Sequence, residues 1–226
     1  MKKQSLGSIL SIPVLALAAT ALTSCNSNPV PEVPQIKKVV NDFEKTPDTF
    51  SFYPGEQKGL KCDAKNGVGY KNSRSLHLVF PTVAHISPDR KIFFNAPELD
   101  MSSADGLMFW ISTPKAMGFT LSAPSKHITG RYNMGDGVLV MDEHGKMVDP
   151  KKCLSTASNG QRSINLEAGF KGWIIVPNTL SKDGTKAAWM HPAASNGKVS
   201  EISDLLFWSD KSEFDIDQLS LYQKTP

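Results

Sequence analysis

Short apolar runs, separated by clusters of Gly, Pro, Asn, Asp and Ser, make up most of the chain from Ile36 onward. In the run SLHLVF, Leu76, Leu78 and Phe80 fall on one side, which is the two-residue alternation of a β-strand. In GLMFWIS both sides are apolar, which predicts a central strand covered on both faces. No long stretch holds a 3.6-residue apolar period, so we expect helix only in short pieces.

The pattern predicts an all-β chain. The expected strands are Lys38–Glu44, Leu60–Ala64, Ser73–Phe80, Lys91–Asn95, Gly106–Ser112, Gly118–Ser122, Gly137–Asp142, Gly172–Val176, Asp204–Ser209 and Phe214–Tyr222. Short helices are expected near Thr179–Leu180 or Val199–Ser203, and a hairpin turn at His144-Gly145. Strands of this number and length predict one β-sandwich of the jelly-roll type over residues 36–226. The run GWIIV is expected to be an inner strand, with Trp173, like Trp110 and Trp208, in the core.

The first 24 residues have the three parts of a secretory signal peptide. Lys2 and Lys3 precede an apolar stretch, and small residues follow it. The segment LTSC, which ends at Cys25, resembles the bacterial lipobox, in which the cysteine becomes the lipid-modified N-terminus. The alternative is a free or disulfide-bonded cysteine near a cleavage site. The next residues, 25–35, contain three prolines in a polar run and are expected to form an extended tether.

Charge and cysteines narrow the possible partners. The chain has 25 basic and 22 acidic residues. Loss of residues 1–24 would remove two lysines and leave 23 against 22, with no basic patch, so nucleic acid is not an expected partner. In an exported chain Cys62 and Cys153 could form a disulfide, and the alternative is two buried free thiols.

The order of several motifs resembles jelly-roll carbohydrate-binding modules of the family 11 and galactose-binding-like type. The motifs are NDFEK, APELDMSSADGLMFWIST, GFKGWIIVPNTL and EISDLLFWSDKSEFDIDQLSLYQ. The resemblance covers about Asn41 to Gln223. It departs from the family at Gln218, where an aspartate is usual, and in the long segment Lys126–Gln161. It implies a two-sheet fold and a polysaccharide or oligosaccharide ligand.

The resemblance also implies a structural calcium between the first and last strands. Carried over by position, the ligands would be Glu44 and Asp217, with Asp42 as a further candidate. Asp217 has the same parity as Leu219 and Leu221, so it is expected to face the core with them, where a carboxylate needs a partner. The alternative partners are a basic side chain or backbone N–H groups.

Sugar binding needs exposed aromatic rings with polar neighbours. The leading candidates are Trp189 beside His191, Tyr132 beside Arg131, and Tyr70, with Tyr53 as a further loop aromatic. For each of them the alternative is a ring that folds back onto its own domain.

Chemistry beyond binding has little support in the sequence. The five histidines lack metal-ligand spacing and no nucleophile or phosphate-loop motif occurs, so no catalytic residue is assigned. The sequence therefore predicts a non-catalytic carbohydrate-binding lipoprotein, exported and lipid-anchored to the bacterial cell envelope, at the outer membrane or cell surface. Two alternatives stay open. One is a structural or protein-interaction envelope lipoprotein with no sugar ligand, and the other is a glycan-active lyase or hydrolase on a jelly roll.

Overall fold

Two antiparallel β-sheets pack face to face in the computed structural model. It describes residues 34–55, 57–124, 131–135, 137–156, 161–178, 189–190, 199 and 201–224. The strands are β1 (Gln35–Asn41), β2 (Phe52–Tyr53), β3 (Lys61–Lys65), β4 (Ser75–Phe80), β5 (Ala84–Pro88), β6 (Leu99–Asp100), β7 (Gly106–Ser112), β8 (Met117–Pro124), β9 (Arg131–Met134), β10 (Leu139–Asp142), β11 (Leu154–Thr156), β12 (Arg162–Leu166), β13 (Lys171–Pro177), β14 (Trp189–Met190), β15 (Glu201–Ile202), β16 (Leu206–Ser209) and β17 (Ser212–Gln223). The helices are α1 (Arg90–Phe93) and α2 (Pro150–Cys153), with a 3₁₀ turn at Tyr70–Asn72.

The connectivity is that of a jelly roll. The first sheet has the order β10-β13-β7-β17-β4-β3, with β1 also paired to β17. The second sheet has the order β11-β12-β8-β16-β5-β2, and β9 and β14 extend it beside β8. The chain passes repeatedly from one sheet to the other, and these crossings include β4 to β5, β7 to β8, β12 to β13 and β16 to β17. The predicted all-β jelly-roll sandwich is confirmed.

The main core lies between the sheets and is rich in phenylalanine. Phe214 of the first sheet stacks on Phe80 and on Phe119, with ring centroids 5.7 and 5.4 Å apart. Phe207 of the second sheet meets Phe109 of the first sheet edge-on at 6.0 Å. These rings come from alternate positions of their strands, as the two-residue period requires.

A second apolar cluster covers the outer face of the first sheet. The strand β7 is buried along its whole length, as its sequence predicts. Phe109 and Ile111 face the main core, whereas Met108 and Trp110 join the outer cluster. On β13, which pairs with β7 and β10, Trp173 belongs to this outer cluster. The run GWIIV is therefore an inner strand of its sheet, but Trp173 packs outside the space between the sheets.

Some predicted elements differ from the structure. The segment expected as a strand at Lys91–Asn95 forms α1, because the Asp89 carboxylate accepts a hydrogen bond from Lys91 N at 2.9 Å and caps a helix. The region near Val199–Ser203 contains the strand β15, which pairs with β6, and the Thr179–Leu180 alternative lies outside the described residues.

The N-terminal predictions fall largely outside the described part of the chain. Residues 1–33, with the expected signal peptide, Cys25 and most of the tether, are not described. The tether was expected to run to residue 35, but Pro34 is buried and Gln35 begins β1 opposite Gln223. No helix within the described ranges is both long and apolar enough to cross a membrane.

Candidate functional site

Three rings form a row on the outer face of the second sheet. Trp208 on β16 lies directly opposite His85 on β5, and their ring centroids are 4.5 Å apart. The ring of Tyr53, on β2, follows at 5.4 Å from His85. We call Tyr53, His85 and Trp208 the aromatic row.

Strand alternation places this row outside the main core. The neighbours Phe207 and Ile86 are fully buried between the sheets, so Trp208 and His85 point to the opposite side and are partly exposed. Tyr53 lies on the two-residue strand β2 at the edge of the sheet and is 65% exposed. At this end of the row, the ring of Tyr53 is therefore exposed to solvent.

Polar side chains continue the same face beyond Trp208. Thr120 is opposite Trp208 on β8. Ser122, two residues further, is itself buried, and it donates a hydrogen bond of 2.9 Å to the half-buried Asn133 side chain and lies 3.4 Å from the amide nitrogen of the half-buried Gln161. Hydroxyl and amide groups beside rings are the composition of a sugar-binding surface.

A pocket of about 410 Å³ lies at the Tyr53 end of the row. Asp204, which lines it, accepts hydrogen bonds from the Ser87 hydroxyl and from Leu205 N. Burial raises the pKa of Asp204, and these hydrogen bonds and the charges of Arg90 and Arg131 act in the opposite direction.

The positive charge of Arg131 acts on His85, the middle residue of the aromatic row. Burial, and after it the positive charge of Arg131, lowers the pKa of His85. The Arg131 side chain is exposed, and its strand position, opposite Pro124 on β8, is on the outward parity. Sequence reasoning named Arg131 as a ligand-binding candidate, and the structure puts it with the aromatic row.

The expectation of exposed rings at Trp189 and Tyr132 is wrong. The two rings do lie near each other, with centroids 6.4 Å apart, because β14 pairs with β9. Trp189 is fully buried and Tyr132 is 7% exposed, and both belong to the main core. Neither ring offers a free surface on which a sugar could stack.

Of the other two ligand candidates, Tyr70 lies away from this row. Tyr70 lies on the outer face of the first sheet, where its ring packs 5.1 Å from Trp110 and 5.2 Å from Trp173. His191 lies outside the described residues.

Asp217 is buried, but it does not face the core as expected. A register shift between Asp217 and Ser220, with Gln218 at φ 49°, reverses the parity, so Leu219 and Leu221 face the main core while Asp217 lies opposite Trp110 on the outer face. One carboxylate oxygen of Asp217 accepts from Tyr70 N at 2.8 Å and from the Ser73 hydroxyl, and the other accepts from Gln218 N at 2.6 Å.

Glu44 lies close enough to act on Asp217. Burial raises the pKa of Asp217, hydrogen bonds lower it, and the charge of Glu44 raises it further. Glu44 itself accepts from Arg74 N at 2.9 Å. The exposed Asp42 carboxylate accepts only a local 3.3 Å contact from Glu44 N among its described hydrogen bonds, and no described contact joins it to Asp217.

The Glu44–Asp217 pair fits a hard cation in its donor chemistry. Two carboxylates lie near each other, one is fully buried, and neither forms an ion pair with a described basic side chain. Across the described residues, no group of three or more His, Cys, Asp or Glu side chains is gathered for a metal. The remaining ligands would therefore have to be main-chain oxygens or water.

Of the two alternatives for Cys62 and Cys153, the structure shows free thiols and not a disulfide. Cys62 on β3 and Cys153 at the end of α2 are both buried free thiols. Burial is the main cause that raises the pKa of each thiol.

Sequence reasoning missed His85 and Trp208 as site residues. Trp208 was expected in the core because LLFWS is apolar at every position before Ser209. The sequence feature that could have indicated His85 was the run AHISP at 84–88. It alternates as a strand does, and His85 lies on its polar side.

No protein-family model and no curated protein matches the chain. Similar solved structures include the family 11 carbohydrate-binding module of a Clostridium thermocellum cellulosomal cellulase, with 15% identity, 83% of this chain and 94% of that chain covered, and a TM-score of 0.45. A family 22 xylan-binding domain from Paenibacillus barcinonensis has 14% identity, 82% and 98% coverage and a TM-score of 0.41. Modules of the kind that the sequence motifs resemble are thus among the similar structures.

Two longer enzymes are also similar in part. A Clostridium thermocellum xylanase structure with CBM22-1 and GH10 modules, complexed with xylohexaose, has 13% identity and a TM-score of 0.41, over 82% of this chain. An exo-β-agarase has 14% identity and a TM-score of 0.43, over 83% of this chain. The chain spans 28% and 25% of their respective lengths.

Proposed function

We propose that this chain binds polysaccharide without acting on it, through the aromatic row on the outer face of the second sheet. The observation that carries the proposal is the continuous ring surface from Trp208 through His85 to the exposed Tyr53. Sugars stack their C–H faces on such rings, and neighbouring hydroxyl and amide groups bind their hydroxyls.

The shape of this face suits an extended glycan better than a single sugar. Six strands, from β11 to β2, lie side by side beneath it. At a strand spacing of about 4.8 Å they span roughly 24 Å. A surface of that length can contact several consecutive sugar units of a chain.

The test is a polysaccharide screen by affinity electrophoresis, followed by calorimetry on the polymers that bind. Trp208→Ala and Tyr53→Ala should each weaken binding by roughly tenfold, which equals about 1.4 kcal/mol. Leu139→Ala is the matched control, because it removes a partly exposed apolar side chain from the first sheet and should leave binding unchanged.

Three outcomes would contradict the proposal. If no polysaccharide binds and an envelope protein does, the chain is an interaction lipoprotein. If a polysaccharide is cut, with release of reducing or unsaturated ends, the chain is an enzyme. If binding survives both ring substitutions, the aromatic row is not the site.

The proposal includes export and a lipid anchor at Cys25 on the bacterial cell envelope. Its support is the order of the basic start, the apolar stretch and LTSC. Cys25→Ser should release the protein from the membrane fraction, since acyl chains anchor by burying methylenes at about 0.8 kcal/mol each. Unchanged membrane association of this variant would contradict the anchor.

The proposal also includes a structural calcium at Glu44 and Asp217. Its support is the fully buried Asp217 carboxylate, which has a second carboxylate nearby and no described ion-pair partner. Calcium there would offset the repulsion between the two carboxylates and hold the Tyr70 loop against the first sheet.

A further inference from the structure

Within the part of the chain that the structure describes, three basic side chains near the aromatic row form no close ion pair. Arg90 and Lys91 line the pocket next to Tyr53. Arg131 is exposed on β9 opposite Pro124 of β8, whose carbonyl oxygen accepts from Ser203 N, next to the pocket residue Asp204. The charge of Arg131 also acts on His85 and Asp204. The ion pairs found between described residues include none of these three basic side chains.

The carboxylates on this face, in contrast, are already engaged within the protein. The Asp204 carboxylate accepts from the Ser87 hydroxyl and from Leu205 N. The Asp89 carboxylate caps α1 by accepting from Lys91 N at 2.9 Å, and it lies 3.4 Å from the Ser51 hydroxyl. Among the described residues of this face, the basic groups are therefore the charged groups without a close hydrogen-bonded partner.

We propose that the polysaccharide bound by this face carries uronic acid units, whose carboxylates pair with Arg131 while their sugar rings stack on the aromatic row. This inference rests on the proposed function and narrows its ligand class. The planar guanidinium of arginine pairs with a planar carboxylate through two parallel hydrogen bonds. A uronic acid keeps the C–H faces that stack on rings, so both contacts can form on one sugar chain.

The test measures the binding of the purified protein to pairs of polysaccharides that differ only in the oxidation of one carbon. Each neutral polysaccharide is compared with the same polymer in which C6 is oxidised to a carboxylate, and with a sulfated form. Calorimetry at low and high salt gives the affinity of each form. The variants are Arg131→Gln, which removes an exposed charge on the aromatic face, and Lys171→Gln, which removes one charge from the first sheet as a control.

We expect the oxidised form to bind roughly tenfold more tightly than the neutral form, as one charge-assisted hydrogen-bonded pair allows. Arg131→Gln should reduce this preference to about twofold or less, by lowering the affinity for the oxidised form far more than the affinity for the neutral form, whereas Lys171→Gln should leave both affinities unchanged. The preference should weaken at high salt.

Several results would overturn the inference. They are equal binding of neutral and oxidised forms, a preference that survives Arg131→Gln, or an equal gain for sulfated polymers, which would mean general attraction to polyanions. In each of these cases the proposed function stands, because polysaccharide is still bound. If no polymer of any kind binds, the proposed function fails, and the inference fails with it.

Discussion

Replacing Asp217 tests how the outer face of the first sheet is held. In Asp217→Ala the main-chain N–H groups of Tyr70 and Gln218 lose their acceptor, while the Ser73 hydroxyl can still donate to the Tyr70 carbonyl oxygen. Each stranded donor costs about 1–3 kcal/mol, so two cost about 2–6 kcal/mol. Removing a buried charge beside Glu44 offsets part of this loss, which leaves an expected net destabilisation of about 2–4 kcal/mol.

Urea unfolding, followed by tryptophan fluorescence, measures this loss as a lower midpoint at an unchanged slope. Asp217→Asn keeps the shape and one acceptor, so we expect it to lose about half as much. Asp42→Ala removes an exposed carboxylate with one weak local contact and should cost less than about 0.5 kcal/mol. The reasoning is refuted if the free energy of unfolding of Asp217→Ala lies within about 1 kcal/mol of the wild-type value. It is also refuted if Asp42→Ala lowers the free energy of unfolding as much as Asp217→Ala does.

Asp217 also predicts the direction in which the folding stability changes with pH. The pKa of Asp217 in the folded state is raised above its ordinary value of 3.8. Between these two pKa values the folded state binds more protons than the unfolded state, so the contribution of Asp217 to stability falls as pH rises. With a chelator present, the stability of the wild type relative to Asp217→Asn should fall over this interval, and a rise would contradict the assignment.

Calcium removal, protonation of His85 and a strand glycine give three further tests. A chelator should lower the melting temperature of the wild type and leave that of Asp217→Asn unchanged, and equal melting with and without chelator in the wild type would exclude the Glu44–Asp217 site. The pKa of His85 is lowered from 6.5, so the stability contribution of His85 should fall as pH decreases below that value, and His85→Gln should lack this loss in acid unfolding curves. In Gly172→Ala the new Cβ would lie 2.1 Å from a main-chain oxygen of β10, which should cost roughly 3 kcal/mol or more in urea. Gly145→Ala, at a turn with open space and φ 82°, should cost only about 1 kcal/mol.

The fold could be predicted because alternation is a local property. Leu76, Leu78 and Phe80 needed no distant information to be assigned to one face, and they are all buried on it. The two-sided pattern of β7 likewise identified a central strand. Strand parity therefore followed directly from the sequence wherever the strand was regular.

The site could be predicted only in part, because it depends on irregular backbone and on pairing. A bulge at Gln218 reverses the parity of Asp217 relative to Leu219 and Leu221. Because Gln218 is not a glycine, its residue type does not indicate the positive φ of this bulge. Trp189 lies in a polar, loop-like stretch, but pairing with β9 buries it. Trp208 lies in an apolar run, but it is on the side of its strand that faces away from the core.

The position of β17 has a consequence for the order of events in biosynthesis. This last strand pairs with β1, β4 and β7, so it joins the beginning of the described chain to the middle of the first sheet. Until β17 has left the ribosome, β1, β4 and β7 lack the strand with which they pair. We therefore expect the first sheet to form only after β17 has been synthesised, and the native state to form slowly, because many of its strand pairings join distant parts of the polypeptide.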